Sequence, residues 1–444
     1  MEYLSRILTV VAQQETFRFH PMCGSLKLNH LLFADDLFLF CKGTAHAIMW
    51  LLRGFSTFSF ASGLCLNRDK TNIYFNGVRR ELIDEVVSNL WFRVGSLPFK
   101  YLGIPISSKK ISKFEAHKLI ERIVTRVRSL GARQLSYAGR LVLVQSVLTT
   151  MHSYWASIFL LPSGVMIKVE AICRNFLWGG KDDYLRDPNI AWEKCCTPKE
   201  EGSLGIKNAK LWNKYALGKY TSWLATKKDH LWVKWVNYVY MKGSYWADYK
   251  APIDCSWSWK KIVQVKDKFK AGYLNNVWNS NALRYSIASG YQWLRTPNPK
   301  VPWSFICWNS LNVPRTSFIY WASLHKRLLI RDRLIKMGIC QDTSCCLCEN
   351  APETHEHLFQ GCDFSRRCMS LMQQKIQISF PPDDIIKLFS SGRCKSVLQK
   401  LIARACYVGL IYVIWMARNR ARIHHQLIHP KILVQQVWKE VKDR

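Results

Sequence analysis

The spacing of apolar and polar positions divides the chain into a mixed first quarter and a longer, mostly helical remainder. Residues 28–34 and 37–41 read as two strands of a tight hairpin, with Asp35-Asp36 at the bend. Residues 44–62 predict a helix stopped by Gly63, and 70–75 and 100–106 predict further short strands. From Ser112 to about Trp178 the period is helical: Ile120, Ile123, Val124, Val127 and Leu130 recur as one apolar stripe. Residues 137–161 and, after Pro162, 163–178 continue that signal. Residues 179–310 are rich in Trp, Tyr and Lys and read as helices joined by long loops, with loop signals at Asp187-Pro188 and 296–299. The last region, from Val313 to Arg444, predicts a helix, a cysteine/histidine cluster and two or more further helices. The expected fold is mainly α with a small α+β part.

Charge narrows the class of partner. Lys and Arg number 64 against 31 Asp and Glu, a net +33, which resists compaction unless a polyanion neutralises it. Nucleic acid is therefore the expected partner, ahead of an anionic membrane. Lys118, Arg122 and Arg126, four apart, form a second stripe on the helix that carries the apolar one. Such a row suits a passing phosphate backbone, and equally an ordinary solvated face. The N-terminal segment contains Glu2 and Arg6 and lacks the apolar core of a signal peptide. The longest uncharged apolar stretch, 405–417, has 13 residues, whereas a span needs about 20. An intracellular protein with no membrane segment is expected.

Two constellations can carry chemistry. Asp35-Asp36 between apolar strands places adjacent carboxylates at a rigid tip, where they can bind divalent cations or merely form a polar turn. Most of the 16 cysteines fit small buried hydrophobes, but Cys345, Cys348, His357 and Cys362 give C-x2-C-x8-H-x4-C. Four such ligands in two short pairs suit a closed tetrahedral zinc site that holds a loop-rich stretch together. His355 in place of His357, and Cys346 in place of Cys345, are the alternative ligands. The 19 tryptophans fill cores or, among basic residues, stack on bases.

The segment His30-Leu31-Leu32-Phe33-Ala34-Asp35-Asp36-Leu37-Phe38-Leu39-Phe40 resembles the active-site hairpin of plant non-LTR retrotransposon reverse transcriptases. The resemblance continues through Ser62-Gly63-Leu64, Asn67, Lys70 and Leu97-Pro98-Phe99-Lys100-Tyr101-Leu102-Gly103-Ile104-Pro105. It runs on through Trp192, Pro198-Lys199, Gly202 and Leu204-Gly205-Ile206, then Phe318, Trp321, His325, Arg327, the cysteine/histidine cluster, Ile414-Trp415 and Arg418-Asn419. It implies a partial palm over 1–110, a helical thumb over 111–180, a helical linker over 181–312, a zinc-binding domain over 313–430 and a tail over 431–444. By this resemblance Asp35, and more conditionally Asp36, hold catalytic magnesium once the palm is complete. Lys70 lies near the incoming nucleotide, and Tyr101, Leu102 and Gly103 belong to the primer region. The partners implied are RNA and DNA as a template–primer duplex, in the nucleus.

One departure shapes the expected function. Such polymerases bring another palm aspartate and the fingers from earlier in the chain, yet only 34 residues precede Asp35, with Glu2 and Glu15 the only acids among them. The expectation is a truncated RNA-directed DNA polymerase that does not polymerise alone. The alternatives are a non-enzymatic nucleic-acid-binding protein derived from such an element, and a decayed gene product without a role.

Overall fold

The computed structural model describes residues 1–444 except 68, 90, 91, 108, 132–134, 183–188, 275–284, 381–385 and 387–395. The turn expected at Asp187-Pro188 lies outside the described residues. The rest is mainly helical with three small two-stranded sheets, in agreement with the expected class. It separates into two compact units. One comprises Met1–Glu115, Ile158–Leu160 and Lys214–Leu294; the other comprises Ala116–Ser157, Leu161–Asn213 and Arg295–Arg444.

In the first unit the helix Glu2–Val11 buries Leu4, Leu8 and Val11 against Ala47, Leu51 and Phe58 of the helix Ala45–Ser62. Both sets recur at helical spacing, so each helix presents one apolar stripe. A Cβ on Gly54 would stand 2.9 Å from Val11 Cγ2, and its absence lets the helices approach. The hairpin β1 (His30–Phe33) and β2 (Asp36–Leu39) lies on this pair, with Leu32, Leu37 and Leu39 packed into the same core. A polar chain fixes it there: buried Asn29 donates from Nδ2 to Leu8 O at 2.6 Å, and His30 bridges Asn29 Oδ1 (2.6 Å) and Ser5 Oγ (2.7 Å).

The hairpin corrects the sequence reading by one residue. Phe33 pairs with Asp36, so the bend is Ala34-Asp35 and Asp36 opens the second strand. Ala34 takes φ +51°, the left-handed backbone that two-residue hairpin turns require. The other strands are shorter than expected. β3 (Asn72–Ile73) pairs in parallel with β4 (Arg93–Val94), and residues 100–106 form a second hairpin, β5 (Phe99–Tyr101) with β6 (Ile104–Ile106). Its turn is Leu102-Gly103, with both residues at positive φ. Aromatic contacts join these ladders: the Phe38 and Tyr101 rings lie 4.7 Å apart edge to face, and Tyr74 and Phe99 lie 4.5 Å apart. Many tryptophans of the first unit serve as core. Trp246 and Trp259 are buried with Tyr249, Val233 and Val236, and Tyr240 stacks on Trp259 at 4.9 Å.

In the second unit the stripe on the helix Lys113–Ser129 faces inward: Ile120, Ile123 and Val127 are buried. The helical run after Ser136, whose Oγ accepts from Gly139 N, passes through a π turn at Val144–Leu148. The helix Ser163–Gly179 buries Val165, Met166, Val169, Ile172, Cys173 and Phe176. The loop around Gly202 docks on the helix Pro314–Leu324 and the residue that caps it. Trp321 Nε1 and His325 Nε2 both donate to Gly202 O at 2.9 Å. Glu201 receives both Nη groups of Arg295 at 2.5 Å, which holds its carboxyl below the usual range. At the C-terminus the helix Val397–His424 packs on Pro430–Lys442, and a Cβ on Gly409 would meet Val437 Cγ1 at 2.7 Å. Val397–His424 is long and apolar enough to cross a membrane, but half of its most apolar window is buried inside the protein.

Candidate metal centre

Local backbone chemistry builds the ligand set. Ser344 and Pro352 form an antiparallel bridge, Cys345 N donates to Ala351 O (2.8 Å) and Glu349 N to Cys345 O (2.9 Å). This closes residues 344–352 into a tight loop. Glu349 takes φ +58° within it. The second ligand pair sits across a π turn, His357–Gly361, in which Cys362 N donates to His357 O at 2.6 Å. In an α-helix, residues five apart diverge around the axis; the wider π turn brings them onto nearly one side. Here this turn spans the x4 spacing. Gly361 also leaves room for the imidazole, since a Cβ there would stand 3.3 Å from His357 Nδ1.

The result is one cluster. The ligand atoms of Cys345, Cys348, His357 and Cys362 all lie within 4.8 Å of one another. Cys345 and Cys362 Sγ are 3.9 Å apart, and Cys348 Sγ is 3.2 Å from His357 Nε2. Zinc–sulfur bonds of about 2.3 Å in a tetrahedron place two sulfurs ~3.8 Å apart, so the donor spacing fits zinc. The donor set, three thiols and an imidazole with no carboxylate, also fits a closed structural site better than a magnesium or calcium site. Cys345 and Cys362 are buried, and Cys348 and His357 half-buried.

The electrostatics point the same way. The neighbouring Cys345 thiol, then the backbone N–H groups of Ser365 and Phe364 and the Cys348 thiol, draw Cys362 down to about 5, against the upward push of burial. Cys345 is pushed up, first by sharing its proton with Cys362 and then by burial. Sulfur binds a cation as the thiolate, so metal uptake at this pair releases protons. Cys368 contrasts with them. Buried with no such donors, it is pushed up to about 12 and behaves as a small apolar residue.

The alternative ligands fall away. The His355 ring lies tilted against Phe359, with ring centroids 5.0 Å apart, and His355 is absent from the cluster. Cys346 turns its backbone N–H to Glu353 Oε2 (3.3 Å) and contributes no ligand atom.

Two residues beside the cluster carried no role in the sequence reading. Glu353 and Arg418 are both fully buried, with Arg418 Nη2 at 2.6 Å from Glu353 Oε1. Burial alone would push the Glu353 carboxyl up; the Arg418 guanidinium and the N–H groups of Arg331 and Cys346 outweigh it and leave the carboxyl below the usual range. Nothing local signals this pair, because the partners stand 65 residues apart and each resembles a solvated charge in sequence.

The other sequence-predicted site residues lie in separate places. Asp35 and Asp36 are exposed on their hairpin, and among the described residues no group of three or more metal-binding side chains includes them. Tyr101 is adjacent to that hairpin through Phe38, with Leu102 and Gly103 in the following turn. Lys70 is exposed, its backbone N–H bonded to Asn67. Lys118, Arg122 and Arg126 are all exposed on the outer face of their helix, in the unit that carries the cluster.

Residues 285–368, which contain the whole cluster, match a protein family described as zinc-binding in reverse transcriptase. Over that segment the chain is reverse-transcriptase-related. A protein of Arabidopsis thaliana, named provisionally as a ribonuclease H protein, is 32% identical over 166 residues. That stretch covers 36% of this chain and 26% of the relative, so the similarity spans about a quarter of the relative's length. The reverse-transcriptase-type segment supplies all four converging ligands.

Proposed function

We propose that this chain is part of the RNA-directed DNA polymerase of a non-LTR retrotransposon, and that its C-terminal half is a zinc-structured grip on nucleic acid. The observation that carries the reading is the convergence of Cys345, Cys348, His357 and Cys362 within the reverse-transcriptase-type segment. The net charge of +33 supports a polyanionic partner. Cys345, Cys348, His357 and Cys362 would hold the zinc, whose part is to fix the loop and the π turn in one body. The exposed row Lys118, Arg122 and Arg126 would follow a phosphate backbone, ordered by the buried stripe on the opposite face of its helix.

In this reading the hairpin carboxylates Asp35 and Asp36 bind magnesium only when a further carboxylate joins them, because two-metal phosphoryl transfer needs ligands converging from separate strands. The chain alone then binds template and primer without extending it. A purely binding role, without polymerisation, is the second reading; the isolation of this pair from other metal-binding groups among the described residues favours it.

A salt series tests the grip. Affinity of the zinc-loaded chain for a template–primer duplex should fall steeply with salt, and K118Q/R122Q/R126Q should flatten the log–log slope by about 2–3 if each side chain neutralises one phosphate. A flat salt response in the unmodified chain would refute it.

A further inference from the structure

Glu353 joins three segments that the sequence keeps apart. Its carboxylate receives Arg418 Nε at 3.0 and 3.1 Å on its two oxygens and Arg418 Nη2 at 2.6 Å. The same oxygens accept from Arg331 N (2.8 Å) and from Cys346 N (3.3 Å), between ligands Cys345 and Cys348. Its backbone N donates to Thr343 O at 2.7 Å, ahead of the first ligand. Arg418 is 0% and Glu353 1% exposed, so both charges have left water entirely. Such a pair persists only where its hydrogen bonds are nearly complete. Arg418 is further fixed by Asn419 Oδ1, which accepts from Nη1 at 3.0 Å, and by the Trp415 ring, 5.2 Å from its guanidinium carbon.

The family match ends at residue 368, whereas Arg418 lies far along the helix Val397–His424. We propose that Glu353 and Arg418 are positioning residues for the metal: they set the loop that carries Cys345 and Cys348, so that metal uptake and docking of Val397–His424 are one coupled event. The inference rests on the zinc reading above. Coupling of this kind is reciprocal. If the docked helix raises metal affinity, the metal stabilises docking by the same factor.

The test uses the full chain, with cobalt(II) as a spectroscopic stand-in and zinc competition to obtain affinity. Removing the metal from the unmodified chain should speed hydrogen exchange across Val397–His424. E353Q keeps the side chain's size but leaves Arg418 without its counter-charge. It should weaken metal binding by about 10–100-fold, the usual effect of losing a group behind the ligands, and shift the cobalt spectrum. R418K, which cannot fork onto the carboxylate, should move both in the same direction by less. E353M/R418M refills the space with apolar groups and should keep the helix content while still binding metal weakly. Wild-type affinity and spectrum in folded E353Q and E353M/R418M would overturn the inference, as would exchange in Val397–His424 that ignores metal removal. Absence of metal uptake by the unmodified chain would instead overturn the zinc reading, and this inference with it.

Discussion

Replacing Gly202 by alanine should destabilise the second unit by about 2–5 kcal/mol, summing two independent costs. Gly202 holds φ +86°, where an L-residue costs about 1–2 kcal/mol. Its new Cβ would also stand 3.1 Å from Val301 Cγ1 and 3.3 Å from Trp303 Cζ2, and crowding of a packed site adds about 1–3 kcal/mol. Relief by backbone movement is opposed, because the Gly202 carbonyl is held by both Trp321 and His325. Gly338 is the control. It has φ +70°, but a Cβ there would meet nothing within 4 Å, so G338A should show the backbone cost alone. Urea unfolding at fixed zinc, followed by fluorescence and far-UV dichroism, separates the two. With a slope of about 3 kcal/mol per molar, the G202A midpoint should lie roughly half a molar below that of G338A. Equal midpoints, or a milder effect at Gly202, would refute the close packing of this loop against Val301 and Trp303.

Further outcomes follow from the same geometry. D35N and D36N should leave stability within about 0.5 kcal/mol, since both side chains are exposed, and primer-extension assays of the chain with magnesium should give no Asp35-dependent product. Acid should weaken the second unit through Glu201 and Glu353. Both folded carboxyls sit below the unfolded value of about 4.3, so their contribution is complete above that pH and disappears as pH falls through the folded values. Melting temperature against pH should therefore drop below about pH 4, and E201Q should flatten that drop.

The cysteine/histidine centre was legible because all four ligands lie within one short stretch and their spacing is itself the signal. The geometry behind the spacing was not. Nothing in His357–Gly361 announces the π turn that brings His357 and Cys362 together. The hairpin was legible in its alternation, but its bend was displaced by one residue: an Asp-Asp pair is the obvious turn, whereas Ala34 takes the left-handed position. Residues 100–106 read as one strand because Leu102 is apolar, yet the chain reverses there. The Glu353–Arg418 pair was hidden for a different reason. Buried charges separated by 65 residues leave no periodic trace in the sequence. The same holds for the long helix Val397–His424, whose apolar stretch alone does not reveal that it carries a buried arginine.

The most direct measurement is the metal content of the purified chain, compared across single substitutions in the cluster. One zinc per chain is expected, retained in H355A and C346S and lost in C348S and H357A, with loss of protection across residues 343–362. A chain that carries no zinc, or one that loses it equally in H355A and H357A, would contradict the account.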